Sequence, residues 1–279
     1  MKKFFKTTLA TLFSLTLAFS AVSCGGKDDG KTIIVGASSP PPAVILEEVK
    51  DDLKKQGYDL QIRIMDDYVT PHTALENGDI DANYFQHTPY LDEFNKENNT
   101  HLSSVAKIHY EPFGVYGNDV TQESFDTKKT GRTILIPWDG SNCTRALFVL
   151  EAEGYIDLKD DVSASSSLSV QDIEDDHDNE IKPVEAAQLP AQLKNAKKGT
   201  IAVINGNYAI GAGLKISDAL ATESAEGEAA QLYANIIAVK TGNEESEKIK
   251  ALVAALKTQK VYDFIQNTFN GAVQPVFSL

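Results

Sequence analysis

Thr32-Ile33-Ile34-Val35-Gly36 is a β-branched run of the kind that forms a buried parallel strand. Pro40, Pro41 and Pro42 follow, then Ile45, Leu46, Val49 and Leu53 at helical spacing, with proline near the first turn, where its missing N–H is harmless. Leu60, Ile62 and Ile64 then alternate with polar residues, which predicts a second strand. Strand, helix, strand is the unit of an α/β layer, and the rest of the chain extends it. Thr73 to Asn77 reads as a short helix stopped by Gly78. Ile134-Leu135-Ile136, Ile201-Ala202-Val203-Ile204 and Ile236-Ile237-Ala238-Val239 read as buried strands, the first two leading into loops rich in Asn and Gly. Ile249, Leu252, Val253 and Leu256 mark one amphipathic helix, and Val261, Phe264, Ile265 and Phe269 another, ended by Gly271. No internal repeat is visible.

The 279 residues suit one large domain or two lobes. With 42% hydrophobic and 24% charged residues, collagen-like, coiled-coil and wholly disordered chains are excluded. The net charge of −14 would repel phosphate backbones, so nucleic acid is not an expected partner. Ser163 to Glu180, rich in serine and acids, lacks the spacing of a calcium loop and reads as a solvated acidic segment.

The first residues read as an address. Lys2, Lys3 and Lys6 form a basic n-region, and Leu9, Leu12, Phe13, Leu15, Leu17 and Phe19 an apolar h-region. The apolar core is short and ends in Ala21-Val22-Ser23, so a cleaved secretory signal over residues 1–23 fits better than a transmembrane helix. Cys24 follows at once, and 24–31 reads as a lipidated cysteine on a polar tether. This layout resembles the lipobox of bacterial lipoproteins, whose cysteine is diacylated and becomes the mature N-terminus. Two acyl chains anchor stably where one does not. The three lysines leave with the signal and the net charge deepens to −17. Cys143 loses its only possible disulfide partner. The expected location is the cell envelope, on the extracytoplasmic side of a membrane.

Enzyme chemistry has no constellation behind it. There is no G-x-S-x-G elbow and no P-loop, and Gly211-Ala212-Gly213 lacks the third glycine and preceding strand of a dinucleotide site. His72, His87, His101, His109 and His177 include no zinc spacing, although His101 and His109 are free to meet in space. Cys143 reads as a small buried hydrophobe. The chain is expected to be a binding protein without catalytic residues, metal or cofactor.

One segment is more specific. Asp67-Tyr68-Val69-Thr70-Pro71-His72-Thr73-Ala74-Leu75 leads into Gly78-Asp79-Ile80-Asp81-Ala82-Asn83-Tyr84-Phe85-Gln86-His87-Thr88-Pro89-Tyr90-Leu91. With Val184-Glu185-Ala186-Ala187-Gln188-Leu189-Pro190, Ile204-Asn205-Gly206-Asn207-Tyr208-Ala209, Tyr233-Ala234-Asn235-Ile236 and Phe269-Asn270-Gly271-Ala272-Val273, it resembles the methionine-binding lipoprotein family. These are the substrate-binding components of bacterial methionine-uptake ABC transporters. The resemblance runs from about Thr32 to the C-terminus. It implies an α/β, two-lobe periplasmic-binding-protein fold, type II-like, with crossings near Glu111 to Tyr116 and Ala234 to Val239. Lobe 1 would be 32–113 plus 237–279, and lobe 2 would be 114–236. The partners implied are L-methionine or a close analogue, the ABC permease and ATPase, and the membrane through the anchor.

A free amino acid between lobes must desolvate its carboxylate, which calls for arginine. Arg145 matches the family's arginine and should bind the carboxylate. Asn142 and Asn205 would satisfy the remaining polar atoms, and Asn207 and Asn235 are further expected contacts. Tyr68, Phe85, His87 and Tyr90 match the family's aromatic wall for the thioether, where sulfur–ring contacts add about 0.3–1.5 kcal/mol each. His87 would either pack flat as neutral imidazole or donate a hydrogen bond.

Two loops depart from the family. A Thr-Pro-Gly-Pro-His-like turn is here Ser38-Ser39-Pro40-Pro41-Pro42, so the family's histidine falls at Pro42. Pro137-Trp138-Asp139-Gly140-Ser141-Asn142-Cys143-Thr144-Arg145 keeps the Asn and Arg but puts tryptophan where the family has a small polar residue. Either Trp138 reshapes the pocket, or it faces solvent or core and changes nothing. D-methionine, a methionine sulfoxide, a methionyl dipeptide or another apolar amino acid stays open as ligand, as does a surface lipoprotein with an adhesion role.

Overall fold

The computed structural model describes residues 30–164, 167–224 and 228–279. The signal, Cys24 and most of the tether lie outside the described residues.

The protein is a two-lobed α/β molecule built on two main sheets. The first runs edge to edge through Gln274–Pro275, Leu102–Tyr110, Asn235–Lys240, Ala82–His87, Thr32–Ala37 and Asp59–Ile64. Thr32–Ala37 sits between two parallel partners, with Val35 opposite both Ile62 and Ala82. That is why the opening run is apolar on both faces, and Ile33, Val35 and Ala37 are fully buried. Asp59–Ile64 is an edge strand, so its alternation ends with Ile64 facing solvent. The helix Pro42–Lys55 covers this sheet with Ile45, Leu46, Val49 and Leu53. Glu247–Leu256 adds Ile249, Leu252 and Leu256, and Gln259–Phe269 adds Val261 and Ile265. Each such side chain contributes about 1.5–3 kcal/mol by leaving water.

The second sheet runs Ala221–Thr222, Gly114–Gly117, Ile201–Ile204, Thr133–Pro137 and Glu180–Val184. Val115, Ile134, Ile136, Leu147, Leu150, Ile201 and Val203 form its separate core. The chain leaves the first sheet after Tyr110 and enters the second at Gly114. It returns between Thr222 and Asn235.

The helix expected from Thr73 begins earlier, spanning Thr70–Asn77. The Asp67 carboxylate is the reason: its Oδ1 accepts from the backbone N–H of Val69 at 2.8 Å and of Thr70 at 2.6 Å, and so serves the open helix start. Gly78, at φ 79°, closes the other end in the left-handed conformation. In the acidic segment Ile173–Asp175 pairs with Asp157–Leu158 as a small ribbon. Among the described residues no helix is long and apolar enough to cross a membrane.

Candidate ligand-binding site

The ends of several strands converge between the lobes, where open α/β sheets place their ligands. Tyr68 precedes the helix Thr70–Asn77. Phe85, Gln86 and His87 end the strand Ala82–His87, and Tyr90 lies in the first turn of Thr88–Asn98. Across from them Asn142 and Arg145 occupy the first turns of Gly140–Ala152, and Asn205, Gly206 and Asn207 follow Ile201–Ile204. Glu111 and Phe113 come from the outgoing chain and Asn235 opens the returning strand. All thirteen line one cavity, and the nine residues singled out in the sequence are among them. The cavity measures about 20 Å³, room for roughly one water, so the lobes are closed on each other.

Polar atoms span the closure. Tyr68 Oη donates to Asn207 Oδ1 at 2.9 Å, and Tyr208 Oη donates to the Asp66 carbonyl at 3.0 Å. His87 has a defined tautomer: Nδ1 accepts from the Tyr90 backbone N–H at 3.3 Å, so Nε2 carries the proton and donates to Asn142 Oδ1 at 3.1 Å. Burial, followed by the charge of Arg145, pushes its pKa down to about 3, so the ring is neutral. Asn205 Nδ2 donates to the same Asn142 oxygen at 3.1 Å, while Asn205 Oδ1 is buried with no partner. Tyr68 packs against Phe85, Tyr90 and Tyr208 with ring centres 5.1–5.6 Å apart. Burial pushes the phenol of Tyr68 well above its usual pKa, so it stays a donor.

Arg145 is held more tightly than its sequence context suggests. Nε lies 2.9 and 3.0 Å from the two Glu223 carboxylate oxygens, and Nη2 lies 2.6 Å from Oε2. Nη2 also donates to the Glu111 carbonyl at 2.8 Å, and the guanidinium sits 4.0 Å over the Phe113 ring. Burial alone would favour the neutral form, but the Glu223 carboxylate outweighs it and keeps Arg145 charged. Two of its three nitrogens are thus committed to protein acceptors. Glu111 is also fixed, with Oε1 accepting from His109 Nε2 at 2.6 Å, and Tyr84 Oη closing on His109 Nδ1. Gly206 makes room for it, since a Cβ there would fall 2.7 Å from Glu111 Cβ.

Sequence reasoning missed Gln86, Glu111, Phe113 and Gly206 in the lining, and Glu223 behind Arg145. Glu223 lies 78 residues from Arg145, and no local pattern links them. Trp138 takes the solvent alternative: it is 66% exposed and does not line the cavity. Ser38, Ser39 and Pro40 line a separate groove of about 710 Å³ with Asp66, Asn207 and Tyr208. Cys143 is buried with its thiol pushed up to about 12 by burial. His101 and His109 do not meet; the first faces Glu76 on the surface and the second is fully buried. Among the described residues the side chains close enough to share a cation are Asp157, Asp175 and His177, mostly exposed and already tied by a 3.0 Å pair between His177 and Asp157.

Two lobes closing over a cavity with donors on one helix and an aromatic wall opposite define the class of two-lobed substrate-binding proteins. Comparison with known proteins gives the family. The chain belongs to the NlpA lipoprotein family, which it matches over residues 33–277. It is 38% identical to the methionine-binding lipoprotein MetQ of Bacillus subtilis (strain 168), covering 99% of each chain. The structure of a Burkholderia cenocepacia nutrient-binding protein bound to methionine is 34% identical, with a TM-score of 0.80 over 88% of this chain and all of that one. Lipoprotein Tp32 of Treponema pallidum is 36% identical, also with a TM-score of 0.80 over 88% of this chain and all of that one.

Proposed function

We propose that this protein captures methionine between its lobes and delivers it to an ABC permease and its ATPase, catalysing nothing itself. The observation that carries the reading is the pairing of unlike polar groups in one aromatic-walled cavity: Arg145 as donor, with Glu111 and the unpartnered Asn205 Oδ1 as acceptors. A zwitterionic amino acid matches this set. Its carboxylate would take Arg145 and Asn142, and its ammonium would take Glu111, Asn205 Oδ1 and Asn235. Asn207 would follow the ligand as the partner of Tyr68. The thioether would lie among Tyr68, Phe85, His87 and Tyr90, whose rings suit sulfur. Methionine in the Burkholderia relative and the name of the Bacillus relative support this ligand.

A cavity sized for one water admits an amino acid only when the lobes part, so capture is a hinge motion. The division we propose sets 32–113 plus 237–279 against 114–236; the chain leaves the first sheet after Tyr110 and re-enters it at Asn235, two residues before the second boundary. Lipid on Cys24 would hold the body outside the cytoplasm beside its permease.

The test is thermal unfolding of the body from residue 25, refolded to strip carried ligand. L-methionine at 100 times its dissociation constant should add about 2.7 kcal/mol of stability. A rise with D-methionine, a sulfoxide, a dipeptide or another amino acid instead would keep the transport role and replace the ligand. Silence across the panel would overturn the reading.

A further inference from the structure

We infer that Glu93 is a cross-lobe latch, and that Gly140 is the socket it closes into. The inference deepens the capture reading above, because the helix it grips is the one that carries Asn142 and Arg145. Glu93 sits in the helix Thr88–Asn98 of the first lobe and does not line the ligand cavity. Its Oε2 accepts from the backbone N–H of Ser141 at 3.0 Å, and its Oε1 accepts from Ser167 Oγ at 2.8 Å. Both partners belong to the second lobe.

Ser141 N–H is one of the unsatisfied donors that open the helix Gly140–Ala152. Asp139, from the same lobe, takes the next, accepting from Asn142 N–H at 3.1 Å. The helix start is therefore served by one carboxylate from each lobe, and the partial positive charge of the helix end favours both. Lobe opening removes Glu93 and returns Ser141 N–H to water.

Gly140 is what lets Glu93 in. Its backbone does not need glycine, since its φ is not positive. Space does need it. A Cβ at 140 would fall 2.0 Å from Glu93 Oε1 and 2.1 Å from Ser167 Oγ. Even alanine must displace Oε1 from Ser167, and with it the carboxylate whose other oxygen sits on Ser141. The contact positions Asn142 and Arg145 against the first-lobe wall without touching ligand, and so it acts on how long the closed form lasts.

Glu93→Ala and Gly140→Ala test this in the full chain. Trp138, the only tryptophan, lies two residues from the socket and serves as a fluorescence reporter of closure. In stopped-flow displacement of L-methionine, each variant should dissociate about fivefold faster, the scale of one anion at a helix start, with the association rate unchanged. The double variant should also be about fivefold faster, because both changes break one contact. Additive effects, near 25-fold, or unchanged dissociation in Glu93→Ala would overturn the latch. If Gly140→Ala fails to fold, Glu93→Ala decides alone. Small-angle scattering without methionine separates this inference from the ligand assignment. If wild type ignores methionine but both variants expand, the ligand is wrong and the latch stands. If methionine binds and neither rate nor radius moves, the latch falls.

Discussion

The two walls of the cleft are built from different chemistry. The first-lobe wall is aromatic, with Tyr68, Phe85, His87 and Tyr90 packed edge-on and tilted against one another. The second-lobe wall is amide and guanidinium, with Asn142, Arg145, Asn205 and Asn207. Rings support one another by contact and hold their place with few polar bonds. The polar wall is held by a network in which Asn142 Oδ1 serves both His87 and Asn205, and Arg145 rests on Glu223. A loss in the first wall should stay local. A loss in the second should spread, because each polar group left behind is buried.

Arg145→Ala should break this asymmetry most strongly. It abolishes methionine binding and leaves the Glu223 carboxylate, 10% exposed, without its partner. Breaking a buried pair in this way costs about 3–5 kcal/mol. Calorimetry for binding and denaturant unfolding for stability check the two effects separately. A stable variant that still binds methionine would refute the role of the polar wall.

Acid should act next, through the aromatic wall. His87, with a pKa of about 3, and His72, pushed by burial to about 4, stay neutral when folded but gain protons near 6.5 once unfolded. The unfolded state binds more protons, so these two stabilise the fold at neutral pH and progressively less as pH falls below about 6.5. Asp139, raised by burial to about 6, has the opposite sign: it binds a proton more readily when folded, which offsets part of the loss between about 6 and 4. The net is roughly one proton taken up on unfolding near pH 5.5, or about 1.4 kcal/mol lost per pH unit. Denaturant midpoints at pH 7.5, 6.5 and 5.5 measure this slope, and a flat profile would contradict the neutral histidines.

Tyr68→Phe should be milder. It keeps the ring contacts and removes one bond between the walls, the 2.9 Å bond to Asn207. The expected cost is about 1 kcal/mol, or roughly fivefold in affinity. Trp138→Ala should be the smallest. An exposed side chain outside the cavity should shift stability by less than about 0.5 kcal/mol and leave affinity unchanged. A change of ligand preference in that variant would bring the tryptophan back into the site.

Some of this was legible in the residues. The buried strands declared themselves through unbroken apolar runs, the edge strand through period-2 alternation and the amphipathic helices through period-3.6 patterns, all of which depend only on neighbours in sequence. Ile134–Ile136, Ile201–Ile204 and Ile236–Val239 all fall within observed strands. Trp138 was ambiguous because its exposure depends on what packs around the loop. The Asp67 cap went unread because its carboxylate reaches backbone donors two and three residues on, a contact that periodicity does not register.

The sequence by itself determined the α/β class and the residue types from which a site for an amino acid is assembled, because composition, periodicity and motif are local. Tertiary structure alone decided that Glu223 grips Arg145, that His109 holds Glu111, and that Glu93 reaches the helix start at Gly140. Each of the two contacts between distant segments, Glu223 with Arg145 and Glu93 with Ser141, joins groups dozens of residues apart and on different elements. Charge and hydrogen bonding act over a few ångströms of space, and only the folded chain says which residues share them.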